Sequence, residues 1–257
     1  MKQRVITGIL MAVILLPIVL SSNIYLFSAL VSVLGVVASY ELARIYDNKL
    51  IILVNMLIIL LGIDYNVEGL GILSINPFIV LIISFILYSS VTVFKDKKMD
   101  YLTHGVFSSI YVGLGLLTIV NIYNFAPMML WYLLIIAMSN DVFAYFVGVK
   151  FGKHKMAPTI SPKKSIEGAI GGIVLSNILG ALFIYFLTPY DLKIMIPVSL
   201  LMAFSGIVGD LLASKIKRDT GIKDFSNIFP GHGGVLDRFD SVIFCSLIFY
   251  SFMWLFV

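Results

Sequence analysis

The sequence predicts an all-α, polytopic transmembrane protein of about nine spans, with the N-terminus cytoplasmic and the C-terminus outside, on three observations. Of its 257 residues 60% are apolar and 12% charged, with a mean hydropathy of +1.04. A soluble domain carries roughly 45–50% apolar and about 25% charged residues, so lipid must be the solvent for much of this surface. Apolar runs recur near the roughly 20 residues that cross about 30 Å of hydrocarbon at 1.5 Å per residue. With nine crossings, all 18 Lys and Arg except Lys193 fall on one side, the bias that cytoplasmic loops carry.

The expected spans are about 5–21, 24–44, 50–63, 71–94, 104–123, 128–149, 168–188, 194–212 and 240–257. The first follows Met1-Lys2-Gln3-Arg4 and has the basic start and apolar core of a signal peptide. The run ends Pro17-Ile18-Val19-Leu20-Ser21-Ser22 without an A-x-A-like cleavage site, so it reads as a retained span. The third is short, and is expected to be tilted, thinned around or partly re-entrant. Residues 64–69 form an external connector and 95–100 an internal one. The sixth span is interrupted by Ser139-Asn140-Asp141. Cys245, the single cysteine, lies in the last apolar run, which excludes a disulfide framework and predicts an ordinary buried or lipid-facing side chain. The absence of an internal repeat weakens a transporter built from inverted halves.

This divides the chain into an N-terminal region, 1–127, of about five spans, and a C-terminal catalytic region, 128–257, with cytoplasmic loops at 150–167 and 213–239. A charge at the bilayer centre costs about 2.5–3.5 kcal/mol on insertion scales, so intramembrane carboxylates face a cavity, a partner or an ion. Asp141 and Asp210 are such residues. Asp141 reads equally well as a structural hydrogen-bonding group between helices.

From Gly209 to Asp240 the chain holds the parts for handling a polyphosphate. Asp237 and Asp240 are three apart, on one face if a helix has begun there. With Asp210 they offer the hard oxygen ligands that Mg²⁺ takes while keeping waters and substrate phosphate oxygens. Lys215, Lys217, Arg218, Lys223 and Arg238 can neutralise phosphates and a pyrophosphate leaving group. Gly231, Gly233 and Gly234 allow close approach of backbone N–H groups beside a helix start. A basic loop touching anionic headgroups would explain the lysines, but carboxylates among them would weaken that attraction. His232 reads as an acid or base, or as a turn-stabilising or phosphate-donating group. In the earlier loop, Lys153, Lys155, Lys163 and Lys164 with Ser161 and Ser165 can hold a phosphate or nucleotide. Ser165-Ile166-Glu167 also reads as a plain helix start, with Pro162 stopping the previous element. Gly168 to Gly172 read as a close helix-packing surface.

These residues resemble the phosphatidate cytidylyltransferases, also called CDP-diacylglycerol synthases. That family's pattern is matched by Ser214-Lys215-Ile216-Lys217-Arg218, then Lys223-Asp224, then His232-Gly233-Gly234-Val235-Leu236-Asp237-Arg238-Phe239-Asp240. The blocks Asp141 to Gly148 and Ser161 to Gly168 are similar to the family too, so the resemblance covers mainly residues 139–240. Ala213 departs from it, standing where the family often has an acidic residue.

The resemblance implies a CTP-dependent nucleotidyltransferase of phospholipid biosynthesis in the inner (cytoplasmic) cell membrane. Its reaction would be CTP plus phosphatidic acid to CDP-diacylglycerol plus pyrophosphate, with Mg²⁺ and room for a monovalent ion such as K⁺. Asp210 and Asp237 would be the metal ligands, and Asp240 would support the metal or position a substrate. Lys217 and Lys223 join these three as catalytic positions. Substrate-binding positions would be Asp141, Lys163, Lys164, Ser165, Ser214, Arg218, Asp224, His232, Gly233, Gly234 and Arg238. The partners implied are CTP, phosphatidic acid and the bilayer, no nucleic acid, and in some settings a second copy in a homodimer. The rival readings are a CTP-dependent polyprenol-type lipid kinase, which would transfer the γ-phosphoryl group, and a membrane transporter.

Overall fold

The computed structural model describes residues 2–67 and 71–255. The end of the connector at Glu68-Gly69 and the last two residues of the final expected span lie outside them. Ten α-helices dominate: α1 Lys2–Leu20, α2 Ile24–Ile45, α3 Leu50–Asn66, α4 Pro77–Phe94, α5 Met99–Ser108, α6 Gly115–Phe125, α7 Pro127–Phe151, α8 Ile166–Leu187, α9 Leu192–Asp219 and α10 Leu236–Phe252. A π-helical turn, Ser109–Leu114, joins α5 to α6 in one rod, Met99–Phe125. Among the described residues, six rods are long and apolar enough to cross a membrane: α2, α4, Met99–Phe125, α7, α8 and α9, while Thr7–Leu20 and α3 are shorter apolar helices. By these contents the chain is a helical membrane protein.

The expected boundaries need four corrections. The fourth helix starts at Pro77, not 71, because Asn76 caps it by accepting from the Phe78 N–H and Pro77 occupies the first turn, where its missing N–H costs nothing. Ser139-Asn140-Asp141 does not interrupt α7. Its backbone stays helical while the Asn140 side chain donates to Ala203 O at 3.0 Å. The helix of the eighth expected span, α9, does not end at 212 but runs to Asp219. At 1.5 Å per residue its 28 residues measure about 42 Å, more than about 30 Å of hydrocarbon, so an apolar run marks where lipid ends rather than where the helix does. The last helix opens at Leu236, ahead of 240.

The fold is also not wholly helical. Between α7 and α8, β1 (Lys155–Ala157) and β2 (Ser161–Ser165) pair antiparallel, Lys155 opposite Ser165 and Ala157 opposite Ser161. Pro162 therefore lies within a strand rather than ending an element. Glu167 ties the hairpin to α8, accepting from Lys153 N at 3.0 Å and from His154 N, with His154 Nδ1 2.5 Å from its Oε1.

Two compact units emerge. The first comprises residues 1–124 with 224–237, the second 125–223 with 238–257. In the first, close packing runs through small residues: a Cβ on Gly35 would meet Ile59 Cδ1 at 2.6 Å, and one on Gly113 would meet Ile58 at 3.1 Å. Asn55, fully buried, donates to Ser39 Oγ at 3.1 Å and Ser108 Oγ at 3.0 Å. Phe27 and Tyr123 stack at 4.1 Å, and the Tyr123 hydroxyl donates to Val19 O at 3.1 Å.

In the second unit α7 and α8 pack along glycines. A Cβ on Gly168 would stand 2.6 Å from Ala144 O, and one on Gly172 would stand 2.7 Å from Asn140 O. The expected packing role of Gly168 to Gly172 holds, since only a missing side chain admits such approach. On α9, Gly209 faces the Asp240 carbonyl and Gly206 faces Cys245 Sγ, at 2.5 and 2.9 Å from their would-be Cβ atoms. Cys245 is fully buried, as expected.

Candidate active site

The second unit gathers polar side chains from three helices and the hairpin. Lys164, on β2, is ion-paired with Asp210 Oδ2 on α9, and both side chains are about one-quarter exposed, at 28% and 27%. One turn further along α9 the Ser214 hydroxyl reaches Asp210 Oδ1 at 3.4 Å, the neighbour relation that helical spacing of four creates. On α10, Asp240 is buried and its Oδ1 accepts from Ser241 N at 2.8 Å. The Ser241 hydroxyl donates to Asp141 Oδ2 on α7 at 3.2 Å. Asp141 feels the charges of Asp210 and Lys164, and Asp240 those of Asp210, Asp141 and Lys217. Three carboxylates and two ammonium groups thus share one electrostatic neighbourhood. Gly209 makes this possible by letting α10 approach α9 at the Asp240 carbonyl.

The remaining expected residues of this unit are placed differently. Lys163, next to Lys164 on β2, is exposed. Ser165 is buried and caps α8, accepting from Gly168 N at 3.1 Å, so the helix-start reading of this serine holds. Arg218, Lys223 and Arg238 are exposed. Lys215 is engaged with Asp219, one turn on, at 2.6 Å.

The first unit holds the glycine-rich loop. Phe229 and Gly233 bridge each other's backbone, and His232 N donates to Phe229 O at 2.8 Å. Pro230 and Gly231 fill the two central turn positions, Gly231 at φ +79°, the pairing a type II turn requires. Asp237 reaches back across the start of α10. Its Oδ2 accepts from Gly234 N at 2.9 Å and Phe225 N at 2.8 Å. Gly233, at φ +87°, leaves no room for a side chain: a Cβ there would stand 2.7 Å from the same oxygen. His232 borders α1, its ring 3.7 Å from a would-be Cβ on Gly8. Asp224 is exposed.

One residue in this loop's surroundings escaped the sequence. Glu41, on α2, is 1% exposed and takes three donors, the Ser226 hydroxyl at 2.6 Å and the amides of Val235 and Leu236 at 2.9 Å each. A carboxylate in an otherwise apolar run was the available signal.

Among the described residues, no three His, Cys, Asp or Glu side chains converge closely enough to hold a metal ion by themselves. Fold and site together define a helical membrane protein that sets carboxylates against lysines in one unit and holds a glycine-rich loop in the other.

Comparison with known proteins gives the family. The sequence profile of the Cytidylyltransferase family matches residues 2–256, and the chain belongs to that family. It is 34% identical to the phosphatidate cytidylyltransferase of Bacillus subtilis (strain 168) over 269 aligned residues, covering 100% of this chain and 98% of the relative. The proteins of the same name from Staphylococcus aureus (strain COL) and Helicobacter pylori (strain J99) are 34% and 30% identical, over 95% and 96% of this chain and 95% and 89% of theirs.

Proposed function

We propose that this protein is a membrane-embedded phosphatidate cytidylyltransferase, converting CTP and phosphatidic acid to CDP-diacylglycerol and pyrophosphate. The observation that carries the reading is the neighbourhood of Asp210, Asp141 and Asp240 with Lys164 and Lys217, in a chain whose whole length matches the family. In the reaction a phosphate oxygen of phosphatidic acid attacks the α-phosphorus of CTP. One P–O bond forms, the bond from the α-phosphorus to the bridging oxygen breaks, and pyrophosphate leaves with the electron pair. The lipid brings its own nucleophile, so no covalent enzyme intermediate is needed. The work left to the protein is to bring two anions together and to neutralise the charge on the leaving group.

Mg²⁺ would supply charge neutralisation to the substrate phosphates, and each of the two proposed carboxylates suits it. Asp210 and Asp237 each offer hard carboxylate oxygens, and Mg²⁺ can take as few as one of these, completing its shell with water and substrate. Asp210 already draws a cation, the Lys164 ammonium. Asp237 Oδ2 accepts from Phe225 N and Gly234 N. A monovalent ion such as K⁺ beside Mg²⁺ belongs to the same proposal. Lys164 and Lys217, with the exposed Lys163, Arg218, Lys223 and Arg238, would hold phosphates, while Ser214 holds the Asp210 carboxylate in place.

The orientation proposed with this function is nine crossings, N-terminus and site at the cytoplasmic face of the inner membrane, where CTP is present. It is supported by the charge count, 17 of 18 basic residues on one side. The test is product analysis with the purified chain in phosphatidic-acid liposomes with Mg²⁺. CTP labelled at the α-phosphorus should place its label in the lipid. Label reaching the lipid from the γ-phosphorus instead would make the protein a lipid kinase.

A further inference from the structure

We infer that Glu41 is a positioning residue for Asp237, acting through the loop between residues 225 and 236; the inference rests on the function proposed above. The geometry that carries it is a pair of carboxylates pinning the same two stretches of chain. Asp237 Oδ2 holds Phe225 N and Gly234 N, and Glu41 holds the very next residues, the Ser226 hydroxyl and Val235 N, together with Leu236 N. Neither stretch can shift without moving both carboxylates. Glu41 Oε1 takes Ser226 and Val235, and Oε2 takes Leu236, so both oxygens are committed to the loop.

Two further facts agree. The amides of Gly234, Val235 and Leu236 include those a helix start leaves without partners, and here two carboxylates supply all three acceptors. Gly234 is shaped to Glu41: a Cβ there would collide with its carboxylate and stand 2.8 Å from Ser226 Oγ. A glutamate buried on an apolar helix is costly, and charge-assisted hydrogen bonds to three donors are what offset that. What this secures is the orientation of the first turn of α10, and hence of Asp237.

Glu41→Gln keeps the shape but turns one oxygen into a donor that must face an N–H or a hydroxyl. In the full-length protein in detergent or liposomes, kcat should fall about 10- to 100-fold, the loss expected when a reacting group is displaced by about 1 Å. KM for CTP and for phosphatidic acid should stay within about twofold of wild type, because the substrate-contacting groups themselves are retained. The decisive readout is the same substitution in an Asp237→Asn background, followed by radiolabelled turnover. If Glu41 acts through Asp237, no further loss appears, whereas a general structural role subtracts the same factor from both backgrounds.

Ser226→Ala, which removes one of the three ties and leaves the fold intact, should cost about threefold in kcat, again absent when Asp237 is Asn; it serves if Glu41→Gln does not accumulate. Turnover of both single variants within about twofold of wild type, or an equal loss in both backgrounds, overturns the inference. Should the wild-type chain form no CDP-lipid at all, the functional reading fails separately. Amide exchange at Val235 and Leu236 then decides for the clamp: faster exchange in Ser226→Ala or Glu41→Gln supports it, and unchanged protection refutes it.

Discussion

The two units each hold carboxylates in polar networks, and they satisfy most of them in different ways. In the second unit Asp210 and Asp141 meet side-chain partners, the Lys164 ammonium and the hydroxyls of Ser214 and Ser241, while Asp240 accepts from the Ser241 N–H. In the first, Glu41 and Asp237 are held mainly by backbone N–H groups of a glycine-rich loop. Backbone donors are fixed by the fold, whereas an ammonium on a flexible stem can give way to another cation or turn to an anion. The second arrangement suits exchange with incoming charge, and the first suits holding a shape. The same residue type thus serves as working charge in one region and as a fastener in the other.

That contrast can be broken at several points. The largest effect is expected at Asp237, which both fastens the loop and presents a carboxylate. Asp237→Asn should lower CDP-lipid formation at least about 100-fold, the cost of losing one preorganised charge interaction, in protein that still elutes as a folded species. Near-normal turnover would remove Asp237 from the site. Next comes Lys164→Ala, which strips Asp210 of its counter-charge and should cost roughly tenfold or more in kcat/KM. An unaltered kcat/KM would mean that the ion pair is only a tie between hairpin and helix.

Smaller effects test the frame. Gly168→Val places a branched side chain against Ala144 O and Gly148 Cα, at 2.6 and 3.0 Å from the new Cβ. Overpacking of this kind destabilises by about 1–3 kcal/mol, to be read as a lower thermal midpoint in detergent. An unchanged midpoint would show that α7 and α8 separate freely. The smallest change is expected for Asn55→Ala, which removes the polar link to Ser39 and Ser108. Such interhelical bonds average about 0.6 kcal/mol, so the shift in midpoint should be slight and turnover unaffected.

How much of this was legible beforehand follows from what each signal reports. Hydropathy located the apolar cores of the helices because desolvation is a local property of the sequence. It could not find the end of α9, since the turns carrying Ser214 to Asp219 are helical but charged. The cap at Asn76 and the proline after it were readable and mark the true start of α4. The hairpin was not, because strands of three and five residues without alternation carry little pattern. Asp141 and Asp210 stood out as charges in apolar surroundings and Asp240 by its spacing of three from Asp237, and the structure brings Asp141, Asp210 and Asp240 into one neighbourhood. Glu41 carried the same signal. Its partners lie 185 to 195 residues away, and only the folded chain connects them. Ser165 offered both a binding and a capping reading, and the hydrogen bond to Gly168 N supports the cap.

The account stands or falls on Asp210. With CTP, phosphatidic acid and Mg²⁺ supplied to purified, folded protein, Asp210→Asn should form CDP-diacylglycerol at least about 100-fold more slowly than wild type. A rate close to wild type would contradict it, because the carboxylate set against Lys164 would then have no part in the reaction.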